Sequence, residues 1–182
     1  MVKIRNANRR DCASLARVQV DSYRSAYAGL FPPGYLAHFS YEEQQKDWLE
    51  SFSRHPDDIL LAAETPQGQM IGYLLARVDA NNFPGFDAEI IALHVNKANQ
   101  RGGAGKALLH RAVSILIKRG CMSVMLWTLR GNPVRRWYEA LGGELLGEKE
   151  FEVDDWTIRE VAYGWKPIYL LADALGRPKL VR

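Results

Sequence analysis

Cysteine is almost missing from this chain: Cys12 and Cys121 are the only two among 182 residues. A disulfide framework is thereby excluded, and the usage fits a reducing compartment. Histidine is nearly as sparse, and no Cys–His spacing of the zinc-binding kind occurs. No apolar run approaches the ~20 residues of a membrane span. The first residues, Met-Val-Lys-Ile-Arg-Asn, hold no apolar block of the signal-peptide type. Neither sign of charge dominates, with 24 Lys and Arg against 21 Asp and Glu, a net charge of +3. The pairs Arg9-Arg10 and Arg135-Arg136 are too short to make the concentrated basic patch that nucleic acid requires. These absences predict a cytoplasmic protein with neither a membrane nor a nucleic-acid partner.

What is present is ordinary for a globular chain: 47% hydrophobic and 25% charged residues, enough for a sizeable core. Without internal repeat, linker or low-complexity tract, residues 1–182 read as one domain, with a core over about 2–165 and a short tail. Val2 to Arg5 reads as a strand, and Asp11 as the N-cap of a helix running to about Tyr27. Gly29-Leu30-Phe31-Pro32-Pro33 breaks the chain. Ser40 and Glu43 form a capping-box pattern for a helix to about Phe52. Ile59 to Glu64 and Met70 to Val78 read as strands joined by the Pro66-Gln67-Gly68 turn. A loop at Asn81 to Gly85 precedes a strand from Ala88 to Val95. A helix then runs to Arg119, with Gly120 as its stop. Ser123 to Leu129 is strand, and Pro133 fits the first turn of a helix ending at Leu141. Leu145 to Phe151 and Thr157 to Trp165 pair across Asp154-Asp155. The order β-α-α-β-β-β-α-β-α-β-β is mixed α/β with a mostly antiparallel central sheet.

Between the strand ending at Val95 and the following helix stands Gln100-Arg101-Gly102-Gly103-Ala104-Gly105, then Lys106. Glycines let a backbone come close to a ligand, and a helix's first N–H groups, aided by its dipole, attract an anion. A P-loop would need Gly at 100 and Ser or Thr at 107, where Gln100 and Ala107 stand. A dinucleotide fingerprint from Gly103 would need Gly at 108, where Leu108 stands. What remains is Q-x-x-G-x-G. A second pattern, Asn132-Pro133-Val134-Arg135-Arg136-Trp137-Tyr138-Glu139-Ala140-Leu141-Gly142-Gly143, follows the next strand.

The two patterns, in this order and spacing, resemble the hallmarks of the GNAT family of acyl-CoA-dependent N-acetyltransferases, and the element order matches its fold from about Val2 to Trp165. Asp21 to Leu30 resembles a stretch of bacterial small-substrate members. The resemblance implies acetyl-CoA as cosubstrate and a small-molecule or peptide amine as acceptor, in a monomer or homodimer. Gln100, Arg101, Gly102, Gly103, Ala104, Gly105 and Lys106 would bind the pyrophosphate. The backbones of Leu93, His94 and Val95 would pair with the pantetheine arm. Asn132 would touch the cofactor chain besides capping its helix, and Arg136 would meet the adenosine phosphates or lie in solvent. Tyr138 would protonate the leaving thiolate, or is a plain core aromatic on the face shared by Val134, Trp137 and Leu141. Glu89 is the first candidate base, against a strand-end surface carboxylate. His94 is the second, on the opposite face if alternation is strict, although a bulge would re-aim one of them. Where one subgroup carries a catalytic Glu late in the fifth strand, this chain has Trp127. Tyr23, Tyr27, Phe31, Trp48, Trp127, Asp154 and Trp156 are acceptor-pocket candidates. A non-catalytic acyl-CoA-binding module is the alternative function.

Overall fold

The computed structural model describes residues 2–78 and 83–176. Seven strands form one sheet: β1 (Lys3–Asn6), β2 (Ile59–Glu64), β3 (Met70–Val78), β4 (Ala88–Val95), β5 (Val124–Leu129), β6 (Glu144–Val153) and β7 (Trp156–Trp165). Their spatial order is β1-β2-β3-β4-β5-β7-β6. Only β4 and β5 run parallel; every other neighbouring pair is antiparallel. Helices are α1 (Cys12–Ala26), α2 (Pro33–Ala37), α3 (Tyr41–Arg54), α4 (Ala104–Lys118), α5 (Arg135–Ala140) and α6 (Tyr169–Leu175). Among the described residues no helix is long and apolar enough to cross a membrane.

The expected elements are present with some differences. Asp11 holds the N-cap position of α1 as expected, but its side chain does not bond the helix: Asn8 caps a 3-10 turn at Arg9–Asp11, while the Asp11 carboxylate accepts from the Asn8 N–H and from Arg5. That carboxylate serves a cross-link between β1 and α1, a long-range demand that overrides the local cap preference. Helix α5 begins at Arg135, two residues after Pro133, because the Asn132 side chain closes its own turn on the Val134 N–H at 3.1 Å. Tyr138 is buried at 5% exposure. The proline break leads into the short helix α2, which starts at Pro33. The tail from Lys166, which shows no clear pattern in sequence, folds into α6 and buries Ile168, Leu171 and Leu175 to 0–2%. Of the loop expected at Asn81 to Gly85, Asn81 and Asn82 lie outside the described residues.

The sheet is covered on both sides. Leu61, Leu74, Ile90 and Leu126 pack with Leu108, Leu109, Ala112 and Leu116 of α4, together with α5 and α6. The buried positions of α4 recur at helical spacing, which is why that stripe faces the sheet. On the other side, Ala62, Tyr73 and Leu75 pack with Leu15, Ala16 and Val18 of α1 and Trp48 of α3. Strand β3 is therefore buried at every position from Met70 to Ala76, as expected of a strand with both faces covered. The α1–α2 connection closes the far end of the sheet, setting Phe31 and Leu36 on Leu129 and Ile158.

Candidate active site

Two irregularities of β4 create the site. The register against β3 shifts, so that Leu75 faces Ala92 while Ala76 faces Ile90, leaving Ile91 as the extra residue of a bulge. Strict alternation would separate Glu89 from His94. The bulge instead brings Glu89, Ala92 and His94 to one face, opposite Arg77, Leu75 and Tyr73 of β3. Second, β4 pairs with β5 only at Glu89–Met125 and Ile90–Leu126. Beyond Ile90 the two parallel strands carry no further pairs, and the side of β4 over Leu93, His94 and Val95 faces a gap.

At the mouth of that gap β4 runs into the glycine turn. The Gln100 side chain donates to the Val95 carbonyl at 3.0 Å, tying the turn to the strand. Arg101 and Gly103 both take positive φ, 61° and 85°. Gly103 is the N-cap of α4 and no side chain caps the helix, so the first-turn N–H groups stay available. Gly102 and Gly103 are exposed, as are Arg101 and Lys106. A Cβ on Gly105 would meet only Val95 at 3.8 Å, so a side chain there would fit the turn but would stand over the strand end. Asn132 accepts from its own helix start, and Arg136 is exposed. Arg135, by contrast, is pinned to the Tyr163 hydroxyl at 3.0 Å and to the Arg130 carbonyl at 2.8 Å.

Glu89 is not a surface carboxylate: only 7% of it is exposed. Its cross-strand neighbour Arg77 holds Asp58 through two 2.8 Å hydrogen bonds and is near enough to Glu89 for that carboxylate to stabilise its charge further. His94 lies among the rings of Tyr23, Tyr27 and Tyr73, at 5.2, 6.2 and 5.4 Å. Removal from water disfavours its charged form and lowers its pKa to about 4. Tyr138 packs beside Trp137, Tyr163 and Trp165, and burial raises its hydroxyl pKa well above the ordinary tyrosine value. Tyr138 belongs to the α4 side of the sheet and Glu89 to the α1 side. The two sides communicate near the gap: Tyr27, its pKa raised chiefly by burial, is raised further by Tyr23 and Tyr138.

The acceptor-side candidates separate. Tyr23, Tyr27 and Phe31 stand together. Trp48 is core, donating to Gln19 at 2.7 Å, and Trp156 is 42% exposed beside Asp154 in the hairpin turn. Trp127 lies under Lys149, whose Nζ is 4.2 Å from the ring centroid. Sequence reasoning missed Arg77, Tyr35, Phe39 and Glu160. Tyr35 and Phe39 continue the four-residue spacing of Tyr23, Tyr27 and Phe31. That spacing was legible, but Pro32-Pro33 interrupts it and no single helix could carry it. A cleft of about 460 Å³ at the other end of α4, bordered by His55, Arg111 and Arg119, reaches this face of the sheet only at Leu75 and at Asp58, the partner of Arg77. Among the described residues no cluster of His, Cys, Asp and Glu could hold a metal.

The acetyltransferase (GNAT) family model matches residues 20–142, a span containing the bulged strand, the glycine turn and α5. The chain belongs to the GNAT acetyltransferase family. Acetyl-CoA is the cosubstrate of that family. The uncharacterized N-acetyltransferase YuaI of Bacillus subtilis (strain 168) is 30% identical over 177 residues, 97% of this chain and 100% of that protein. A spermidine N(1)-acetyltransferase of Thermoplasma acidophilum is 26% identical over 136 residues, 73% of this chain and 81% of that one. Among solved structures, the PaiA N-acetyltransferase of Thermoplasma acidophilum in complex with coenzyme A superposes with a TM-score of 0.68 at 23% identity. It covers 91% of this chain and 99% of its own. Likeness at that identity establishes the GNAT fold.

Proposed function

We propose that this GNAT protein, folded as one domain, transfers the acetyl group of acetyl-CoA to a primary amine by direct attack in a ternary complex. The carrying observation is the gap beyond Ile90, which leaves one edge of β4 unpaired and leads straight into the uncapped N-terminus of α4. An extended arm bearing amides fits such an edge as an added strand, along Leu93, His94 and Val95. A diphosphate fits the turn, with the N–H groups from Arg101 to Lys106 as donors and Arg101 and Lys106 adding positive charge. Gln100 orients the turn rather than touching phosphate, since its amide is spent on Val95. Asn132 and Arg136 lie where the next helix begins and would meet the cofactor chain and the adenosine phosphates.

The chemistry removes two protons from the ammonium nitrogen, one before attack and one after, and supplies one to the sulfur, with one proton released to water overall. An alkylamine is mostly protonated near neutral pH, its pKa being ~10. Glu89 takes that proton, directly or through a water. The freed nitrogen attacks the thioester carbon while a β4 amide near Leu93 steadies the oxyanion. The C–S bond then breaks, Tyr138 gives its proton to the departing sulfur, and the second proton of the attacking nitrogen restores the Tyr138 hydroxyl through water. Its raised pKa keeps the proton in place until then. His94 holds its neutral form and lines the amine side; Glu89 is the stronger base candidate. A covalent route through sulfur has no support: both Cys12 and Cys121 are buried, and burial raises the pKa of each thiol.

The test is free-thiol release from acetyl-CoA across a panel of primary amines. Amine-dependent release, lost in Glu89→Gln, is the expected outcome. Tight coenzyme A binding without release for any amine would replace the transferase by an acyl-CoA-binding module.

A further inference from the structure

The acceptor side carries an arrangement that the acetyl-transfer reading does not use. Tyr23, Tyr27, Phe31, Tyr35 and Phe39 form a closed circuit of rings. Successive centroids lie 4.8, 5.9, 4.9 and 5.4 Å apart, and Phe39 returns to Tyr23 at 4.9 Å. Phe31 is buried at 7%, while Tyr23, Tyr27, Tyr35 and Phe39 remain partly exposed. His94 touches the circuit at Tyr23 and Tyr27, and Tyr27 is the member near Tyr138. A molecule resting on these rings therefore has its nearer end at the β4–β5 gap, near the proposed acid and on the sheet face that His94 shares with Glu89.

Charge narrows what that molecule is. Two carboxylates beside these rings are already matched. Glu160, close to Tyr23 and Tyr27, holds Lys149 at 3.1 Å. Asp21 accepts from Tyr41 at 2.7 Å, beneath Arg24. A polyamine spreads a positive charge every few carbons, and each charge taken from water needs a counter-charge. This surface supplies rings instead, which favour a flat apolar body in offset or edge-on contact.

We infer that the acceptor is an arylalkylamine: one amine on a short chain, its aromatic group seated on the Tyr23–Phe39 circuit. This assignment rests on the transferase reading and adds the substrate class. It departs from what the name of the Thermoplasma acidophilum relative says of that protein.

The experiment measures thiol release at saturating acetyl-CoA with 2-phenylethylamine, tyramine, butylamine, putrescine and spermidine. The expected ranking places both arylalkylamines at least tenfold above butylamine and the polyamines in kcat/KM. Phe39→Ala and Tyr35→Leu raise KM for 2-phenylethylamine about fivefold each and leave KM for acetyl-CoA unchanged. A polyamine ranked first, or arylalkylamines no better than butylamine, overturns the assignment and leaves acetyl transfer standing. No release with any amine overturns both. Should either variant fail to fold, the wild-type ranking still decides.

Discussion

Burial moves the pKa values of His94 and Tyr138 in opposite directions and leaves both side chains uncharged at neutral pH. For Tyr138 the consequence is a proton retained through alkaline solution. Tyr138→Phe should lower kcat about 100-fold with KM for acetyl-CoA little changed. In the wild type, kcat measured up to pH 10 should show no decline attributable to this hydroxyl. For His94 the sign concerns stability. Its folded pKa of about 4 lies below the ordinary 6.5, so between those values the unfolded chain binds more protons. Stability from this group is complete above about pH 6.5 and falls as the pH drops toward 4. Thermal melts at pH 7 and pH 5 should show a loss for the wild type and a smaller one for His94→Leu. Equal losses would assign the acid sensitivity elsewhere. Either ring was visible in sequence as a candidate. Its environment was not, because the neighbours Tyr73, Tyr163 and Trp165 come from other strands.

Element by element, the glycine turn was the most legible part. Its function depends on backbone conformation, and glycine is the residue that announces such a requirement. Gly103 at φ 85° occupies a conformation that a Cβ disfavours by about 1 kcal/mol. Gly103→Ala should therefore lower stability by that order and raise KM for acetyl-CoA, while kcat at saturation stays near the wild-type value. A large fall in kcat with KM untouched would place the turn outside cofactor binding. The bulge at Ile91 was the least legible. Alternation along Ala88 to Val95 is locally sound, and nothing in those eight residues marks the extra one. The bulge exists only as a mismatch between β4 and β3, yet it decides that Glu89 and His94 share a face. The N-cap position of Asp11 was legible, but the partner of its side chain was not, for a related reason: Arg5, a remote residue bridging it to Glu64, claims that carboxylate.

Across the whole molecule, the sheet is continuous from β1 to β6 and its α4 side is completed by α6. Removing residues 167–182 strips Ile168, Leu171 and Leu175 from the core, at about 2 kcal/mol for each buried side chain. The truncated chain should melt well below the full one, and added coenzyme A should raise the melting temperature of the full chain through binding to the folded state. An unchanged melting temperature after truncation would mean that α6 merely rests on the surface. The α6 helix escaped the sequence reading because seven residues carry too few apolar repeats to establish a period. The amino-acid sequence by itself determined the element order, the glycine turn and the family, since these depend on local periodicity and on residue types with few conformational options. Only tertiary structure decided which side of the sheet Glu89 faces, how far His94 and Tyr138 are shielded from water, and that five aromatics from a helix, a proline break and a second helix close into one circuit. Each of those depends on groups distant in the chain meeting in space, and the free energy of such meetings is not written in any single segment.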